Sequence, residues 1–230
     1  MNIRTPLLIA LFTFNFLQVI SQETQPIDKW DNAVYLGNKI AAGTGEWRFS
    51  GEIQTRFKND FKNLDNWYLE GIASRLLTKN WQAQFSLRYS FKPTINEVRP
   101  GLGVFYKMYP NEKTQLAHQV MYQTDISSAE LRHGMRYALF YTYKASEKII
   151  PNATLGVFYR WQDDFQGVQF VRAGPGLTYL IDIKHFINFN YFVGFENRGD
   201  VWTYQGIFFL QLIININKDY KYLPARTVQF

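Results

Sequence analysis

The run Trp81-Gln82-Ala83-Gln84-Phe85-Ser86-Leu87-Arg88-Tyr89-Ser90-Phe91-Lys92 alternates without a fault. In an extended chain successive side chains point to opposite faces, so Trp81, Ala83, Phe85, Leu87, Tyr89 and Phe91 share one face, and Gln82, Gln84, Ser86, Arg88, Ser90 and Lys92 share the other. A strand of this kind separates an apolar medium from a polar one. Glu46 to Phe57 repeats the pattern, setting Trp47, Phe49, Ile53 and Phe57 against Arg48, Ser50, Glu52, Gln54 and Arg56.

Outward from these two runs the chain reads as strand nearly throughout. Further runs are Trp30 to Ile40, Asn66 to Leu77, Val98 to Met108, Thr114 to Thr124, Leu131 to Lys144, Ala153 to Gln162, Val168 to Ile181, His185 to Phe195 and Val201 to Asn217. Pro93, Pro100, Pro110 and Pro151 fall at or beside the joins, where a missing amide donor costs least, and Pro175 marks a weak point inside a run. Short joins (Ala41 to Gly45, Thr78 to Asn80, Pro110 to Lys113, Asp182 to Lys184) take turns with longer polar ones (Lys58 to Asp65, Phe91 to Glu97, Asp125 to Glu130, Asp163 to Gly167). That alternation predicts short turns on one rim and long loops on the other, as in outer-membrane barrels.

The N-terminus points to export. Met1-Asn2-Ile3-Arg4 is a basic start, and Pro6 to Ile20 is apolar apart from Thr13, Asn15 and Gln18. This reads as a signal peptide over residues 1–21, cut after Ser21, with residues 22–230 as one mature domain. There is no cysteine, which excludes disulfides and a lipid-anchored lipoprotein. Past the leader there is no apolar run of the ~18 residues that a spanning helix needs, and mean hydropathy is -0.26. Yet aromatic residues make up 18% of the chain, with 20 Phe and 15 Tyr, so many rings must face an apolar medium. The formal charge of +6 is spread along the strands instead of clustered, which argues against nucleic acid as a partner.

A soluble, lipocalin-like periplasmic barrel alternates equally well, with its apolar face inward. Three features favour lipid outside. Trp47 and Phe57, or Trp81 and Phe91, bracket their runs at a spacing that covers about 25 Å in a tilted strand, the height of an apolar membrane band, and such rings form interfacial girdles. The polar face carries Arg48, Arg56, Arg88, Arg136 and Arg160 with Glu52 and Glu70 as partners, a set suited to a wet lumen. The runs also outnumber the ~8 strands of a lipocalin. An open sheet edge is not tolerated in hydrocarbon, so the sheet must close. Eleven runs are visible, and even numbers are usual. If the tail Tyr220 to Phe230 closes the wall, there are twelve strands; dropping Trp30 to Ile40 leaves ten. The expectation adopted is an all-β antiparallel transmembrane barrel of about 12 strands.

Lys29-Trp30-Asp31-Asn32-Ala33-Val34-Tyr35-Leu36, Arg99-Pro100-Gly101-Leu102-Gly103-Val104-Phe105-Tyr106-Lys107 and Leu131-Arg132-His133-Gly134-Met135-Arg136-Tyr137 resemble the recurring blocks of a Gram-negative family catalogued as domain of unknown function 2490. The resemblance covers nearly all of the mature chain. It implies an outer-membrane barrel of unassigned activity and carries no catalytic residues with it.

Chemistry is sparse. An outer-membrane lipid-modifying enzyme, of phospholipase or lipid A deacylase or acyltransferase type, needs a general base. His118, His133 and His185 share parity with apolar neighbours, so each reads as an outward, interfacial histidine. Ser127, Ser128, Glu130 and His133 gather near one loop and form the catalytic alternative. No His pair stands at metal-ligand spacing, Asp163 and Asp164 lack a calcium-loop pattern, and no cofactor is expected. The glycines of Arg99 to Gly103 lack the following helix that phosphate cradling needs. The leading expectation is a narrow pore for small anions in the cell outer membrane, or a structural barrel with a filled lumen, with outer-membrane lipid and the barrel-assembly machinery as partners.

Overall fold

Period-2 alternation becomes eleven long strands in the computed structural model, which describes residues 30–162, 165–197 and 201–227. They are β1 (Trp30–Gly45), β2 (Trp47–Lys58), β3 (Asn63–Leu76), β4 (Trp81–Phe91), β5 (Glu97–Asn111), β6 (Thr114–Ser127), β7 (Leu131–Tyr143), β8 (Ile149–Gln162), β9 (Phe165–Leu180), β10 (His185–Asn197) and β11 (Trp202–Asn215). A twelfth, β12, is the pair Asp219–Tyr220. The predicted leader and Phe230 lie outside the described residues.

Each strand pairs antiparallel with its neighbour in sequence, and the sheet closes where β11 runs beside β1, from Trp30↔Tyr204 to Ala41↔Asn215. That closing pair is parallel. It has to be, because in a meander of eleven strands the first and the last point the same way. Parallel pairing is slightly weaker per residue, but closure leaves no bare edge. The fold is therefore the expected all-β barrel, with twelve strands of which eleven build the wall.

The tail does not close the wall. β12 adds only Asp219 and Tyr220 beside Thr44 and Gly45, and the chain then turns into the barrel mouth. Gly43 makes room for this turn, since a Cβ there would come within 1.7 Å of the Tyr220 ring. Pro175 behaves as the weak point it looked: pairing of β9 with β10 lapses between Ala173 and Gly176. A Cβ on Gly174 would come within 1.8 Å of the Tyr191 carbonyl oxygen.

The predicted contrast of short turns with long loops is not found. The rim that holds the start of β1 also carries the joins 59–62, 92–96, 128–130, 163–164 and 198–201, while the other carries 46, 77–80, 112–113, 144–148 and 181–184. Polar residues read as loop continue the ladders instead, as Asn63 does against Lys58 and Glu97 against Ser127. Ala41 to Gly45, read as a turn, is the end of β1, and the chain reverses around Gly45, whose φ is +55°, and Glu46. We call the two ends the loop rim, where β1 starts, and the turn rim, where β11 ends.

The outer wall is apolar. Leu36, Ile53, Leu69, Phe85, Leu87, Leu102, Phe189 and Phe208 are exposed on it, while polar side chains at the intervening positions are buried inside. This is the reverse of a soluble barrel. Rings gather towards both ends of the wall: Trp67 stacks on Phe91 at 3.8 Å and Tyr159 meets Trp161 at 4.9 Å towards the loop rim, and Trp81 meets Tyr106 at 4.9 Å towards the turn rim. Such girdles belong at the two interfaces of a membrane.

Candidate functional site

Cross-strand register builds a charged row inside the barrel. Lys39, Glu52, Glu70, Arg88 and Arg99 are successive partners across β1 to β5, all on the inner face. Lys39 pairs with Glu52 at 2.9 Å and Arg88 with Glu70 at 3.1 Å, so the two adjacent carboxylates are each held by a cation. Tyr68 donates its hydroxyl to Glu52 at 3.3 Å, and the Arg88 guanidinium lies 3.9 Å from the centre of the Tyr68 ring. Buried charge is tolerable only when paired and hydrogen-bonded in this way.

Towards the loop rim the row becomes a knot. Glu97, almost fully buried, accepts from Lys92 at 2.8 Å, from Arg99 at 2.9 Å and from Arg132. Asp125, equally buried, binds Arg99 and, at 2.7 Å, Arg160. Beside the knot lies a cavity of about 320 Å³, the vestibule, whose lining includes seven arginines and two lysines against three carboxylates, Asp65, Glu97 and Glu196. Asp65 on β3, Glu97 on β5 and Glu196 on β10 carry these carboxylates, while Arg56 on β2 and Arg172 on β9 form no ion pair among the described residues.

The half of the lumen nearer the turn rim is different. Gln54, Gln82, Gln211, Asn188 and Asn190 are buried there or at the middle, together with Phe105, Phe140, Phe192, Phe209 and Ile207. Ala225 of the tail joins this apolar cluster and is 3% exposed. Four hydrogen bonds fix the tail inside the mouth. Lys107 Nζ donates to the Leu223 carbonyl at 2.6 Å, Gln115 Nε2 to the Pro224 carbonyl at 3.5 Å, Ala225 N–H to Gln82 Oε1 at 2.9 Å and Arg226 N–H to Gln115 Oε1 at 2.8 Å. The tail stands in the turn-side mouth as a stopper.

Of the residues predicted to face the lumen, Glu52, Glu70, Arg88, Arg136 and Arg160 are buried inside, and Arg56 is half-buried in the vestibule wall. Arg136 donates to Gln119 Oε1 at 3.4 Å and contacts the Met121 sulfur at 3.2 Å. Arg48, close to the turn end of β2, is not part of the vestibule; its Nε is buried without a hydrogen bond. Sequence reasoning passed over Arg99, Arg132, Arg172 and Tyr35, although their parity within their runs places them on the inner face.

Ser127, Glu130 and His133 of the rim cluster have other partners, and no contact of Ser128 with them is seen among the described residues. Ser127 Oγ donates to the Glu130 carbonyl at 3.2 Å and accepts from the Glu130 amide at 3.2 Å, closing its own turn. His133 Nδ1 meets the Tyr122 hydroxyl at 2.6 Å and Thr124 Oγ1 at 3.2 Å on the outer wall. Glu130 pairs with Arg132 at 3.2 Å. His118 meets the Tyr137 hydroxyl at 2.8 Å, and His185 meets Asp182 at 2.7 Å. No serine–histidine contact is among these.

No curated protein matches the chain. Among solved structures, one titled "NanC porin structure in rhombohedral crystal form" is similar at 9% identity and a TM-score of 0.48, covering 72% of this chain and 88% of that one. A family model described as "Protein of unknown function (DUF2490)" matches residues 30–205, most of the chain including ten of the eleven wall strands, and the protein belongs to that family.

Proposed function

We propose that the protein is an exported outer-membrane barrel that serves as a narrow, anion-selective passage. The observation that carries this reading is the charge balance of the vestibule, where arginine and lysine outnumber carboxylates by three to one. A low-dielectric wall focuses the field of fixed charges, so a basic constriction raises the local concentration of small anions and repels cations. The apolar outer wall and its two girdles support membrane residence. The leader over residues 1–21 supports export, and passage through the assembly machinery belongs to the same reading.

Passage needs the turn-side mouth to clear, and among the described residues the tail is the separable piece that stands in it. The filled mouth favours a second reading, a barrel that binds anions from the loop side without conducting them.

Currents decide between the two. The refolded full chain in planar bilayers under a salt gradient is expected to show discrete steps with a reversal potential on the anion side. Arg56→Gln with Arg136→Gln is expected to move that potential towards zero. A barrel with heat-modifiable gel mobility that stays silent would reject the passage and leave the binding vestibule.

A further inference from the structure

Two vestibule arginines that reach no carboxylate among the described residues share one ring. The Arg56 guanidinium lies 4.3 Å from the centre of Tyr35, and the Arg172 guanidinium lies 6.0 Å from the same centre and 4.5 Å from that of Phe170. Arg172 is 8% exposed and its side chain makes no hydrogen bond or ion pair among the described residues. Arg56 spends Nε on Gln54 at 2.7 Å, while its Nη2 is buried with no partner. Both line the cavity.

A guanidinium that only had to fill space would be an expensive choice. Removing its charge from water without an anion or a full set of acceptors is unfavourable, where a methionine or leucine would fill the same volume at no such cost. Elsewhere in this lumen Lys39, Arg88, Arg99, Arg132 and Arg160 each reach a carboxylate, Arg136 donates to Gln119 and Lys107 to a backbone carbonyl. Arg56 and Arg172 reach no anion among the described residues, and both adjoin the cavity. Stacking on Tyr35 and Phe170 holds the two planar forks in place while leaving their edges for a ligand, and such forks match carboxylate and phosphate oxygens two at a time.

We infer that the Arg56–Tyr35–Arg172 patch is a recognition site for a small anion carrying two negative charges, a dicarboxylate or a phosphomonoester, that enters from the loop rim. Two uncompensated guanidiniums ask for two charges, and a cavity of about 320 Å³ admits only a small molecule. A monoanion satisfies one fork and leaves the other bare. The inference rests on the anion-admitting reading of the vestibule made above, but not on conduction.

Calorimetric titration of the refolded full chain in zwitterionic detergent tests it separately from any current. The probes are succinate, inorganic phosphate at a pH where it is doubly charged, and acetate as the monoanion, all at matched ionic strength. Saturable binding of succinate or phosphate is expected, with acetate about tenfold weaker or undetected. Binding of succinate alone would specify two separated acid groups, and binding of phosphate alone a phosphomonoester. Arg172→Gln and Arg56→Gln should each weaken the dianion about tenfold, while Arg75→Gln, on the outer wall, should not. Arg172→Lys keeps the charge and loses the fork, so it should weaken binding too, and it stands in should the glutamine variant fail to give a heat-modifiable barrel. Absence of saturable binding for both dianions, or equal affinities in Arg172→Gln and Arg75→Gln, would overturn the inference whatever the bilayers show.

Discussion

The two halves of the lumen solve the problem of a polar interior in opposite ways. Towards the loop rim the inner face is ionic and encloses a cavity. Towards the turn rim the inner face is amide and aromatic, it is closed by the chain's own tail, and Lys107 is a buried cation whose acceptor is a backbone carbonyl of that tail. The difference teaches that filling and charging a barrel are alternatives: where the interior is packed, the chain spends amides and rings, and where it is charged, it keeps room for solvent or solute.

The comparison breaks first at the knot. Asp125→Asn leaves Arg99 and Arg160 with one carboxylate fewer in a buried setting, and breaking such a pair costs about 3–5 kcal/mol. Denaturant unfolding of the barrel in lipid vesicles should register a loss of that size. A loss no larger than that of an exposed surface pair, such as Lys144→Ala at the Lys144–Glu147 contact, would mean that the knot is already solvated.

A smaller effect sharpens the other half. Gln115→Ala removes one donor to and one acceptor from the tail, each worth about 1 kcal/mol, and should leave the wall intact. Limited proteolysis is the sensitive readout, with cleavage after Lys221 or Arg226 expected to accelerate. If cleavage does not accelerate, the tail is held by its apolar contacts at Ala225.

The smallest effect lies at the turn rim, outside both halves. Asp182 accepts from the Lys184 amide at 2.6 Å, from the His185 amide at 2.7 Å and from the His185 ring, and the Lys184 contact first, with the others, holds its carboxyl down at about 2. A depressed carboxylate contributes stability that is present above its ordinary value of 3.8 and is lost as pH falls through about 2. Between pH 4 and pH 2, unfolding midpoints should fall slightly more in the natural protein than in Asp182→Asn. Parallel curves would dismiss this turn as a contributor.

What the sequence made legible follows from how local each signal is. Parity is a property of neighbours, so the faces of Trp81 to Lys92 and the inward placement of Glu52, Glu70, Arg88 and Arg160 were readable from a dozen residues at a time, and β4 runs from Trp81 to Phe91. Closure is not local. Nothing in Trp30 to Ala41 announces that its partner is Tyr204 to Asn215, and the habit of even strand numbers pointed to the tail. Pro224 interrupts the strand pattern of the tail but does not say where the chain goes instead. Loop lengths failed for a related reason: polar residues at strand ends look like loop by composition, and only the partner strand reveals that Asn63 and Glu97 are paired. In the candidate site, Arg172 was missed although it alternates with Val171 and Ala173, and its lack of a carboxylate depends on which strands stand opposite across the lumen.

On the proposed reading, one end of this lumen selects anions and the other is stopped by the tail. The most direct test compares single-channel currents of the full chain with those of a barrel ending at Tyr220, both refolded and shown to be heat-modifiable, under a tenfold salt gradient. The account predicts that the shortened barrel conducts more often and for longer, with an anion-side reversal potential that the full chain shares whenever it opens. A shortened barrel that prefers cations, or is as silent as an intact one, would contradict it.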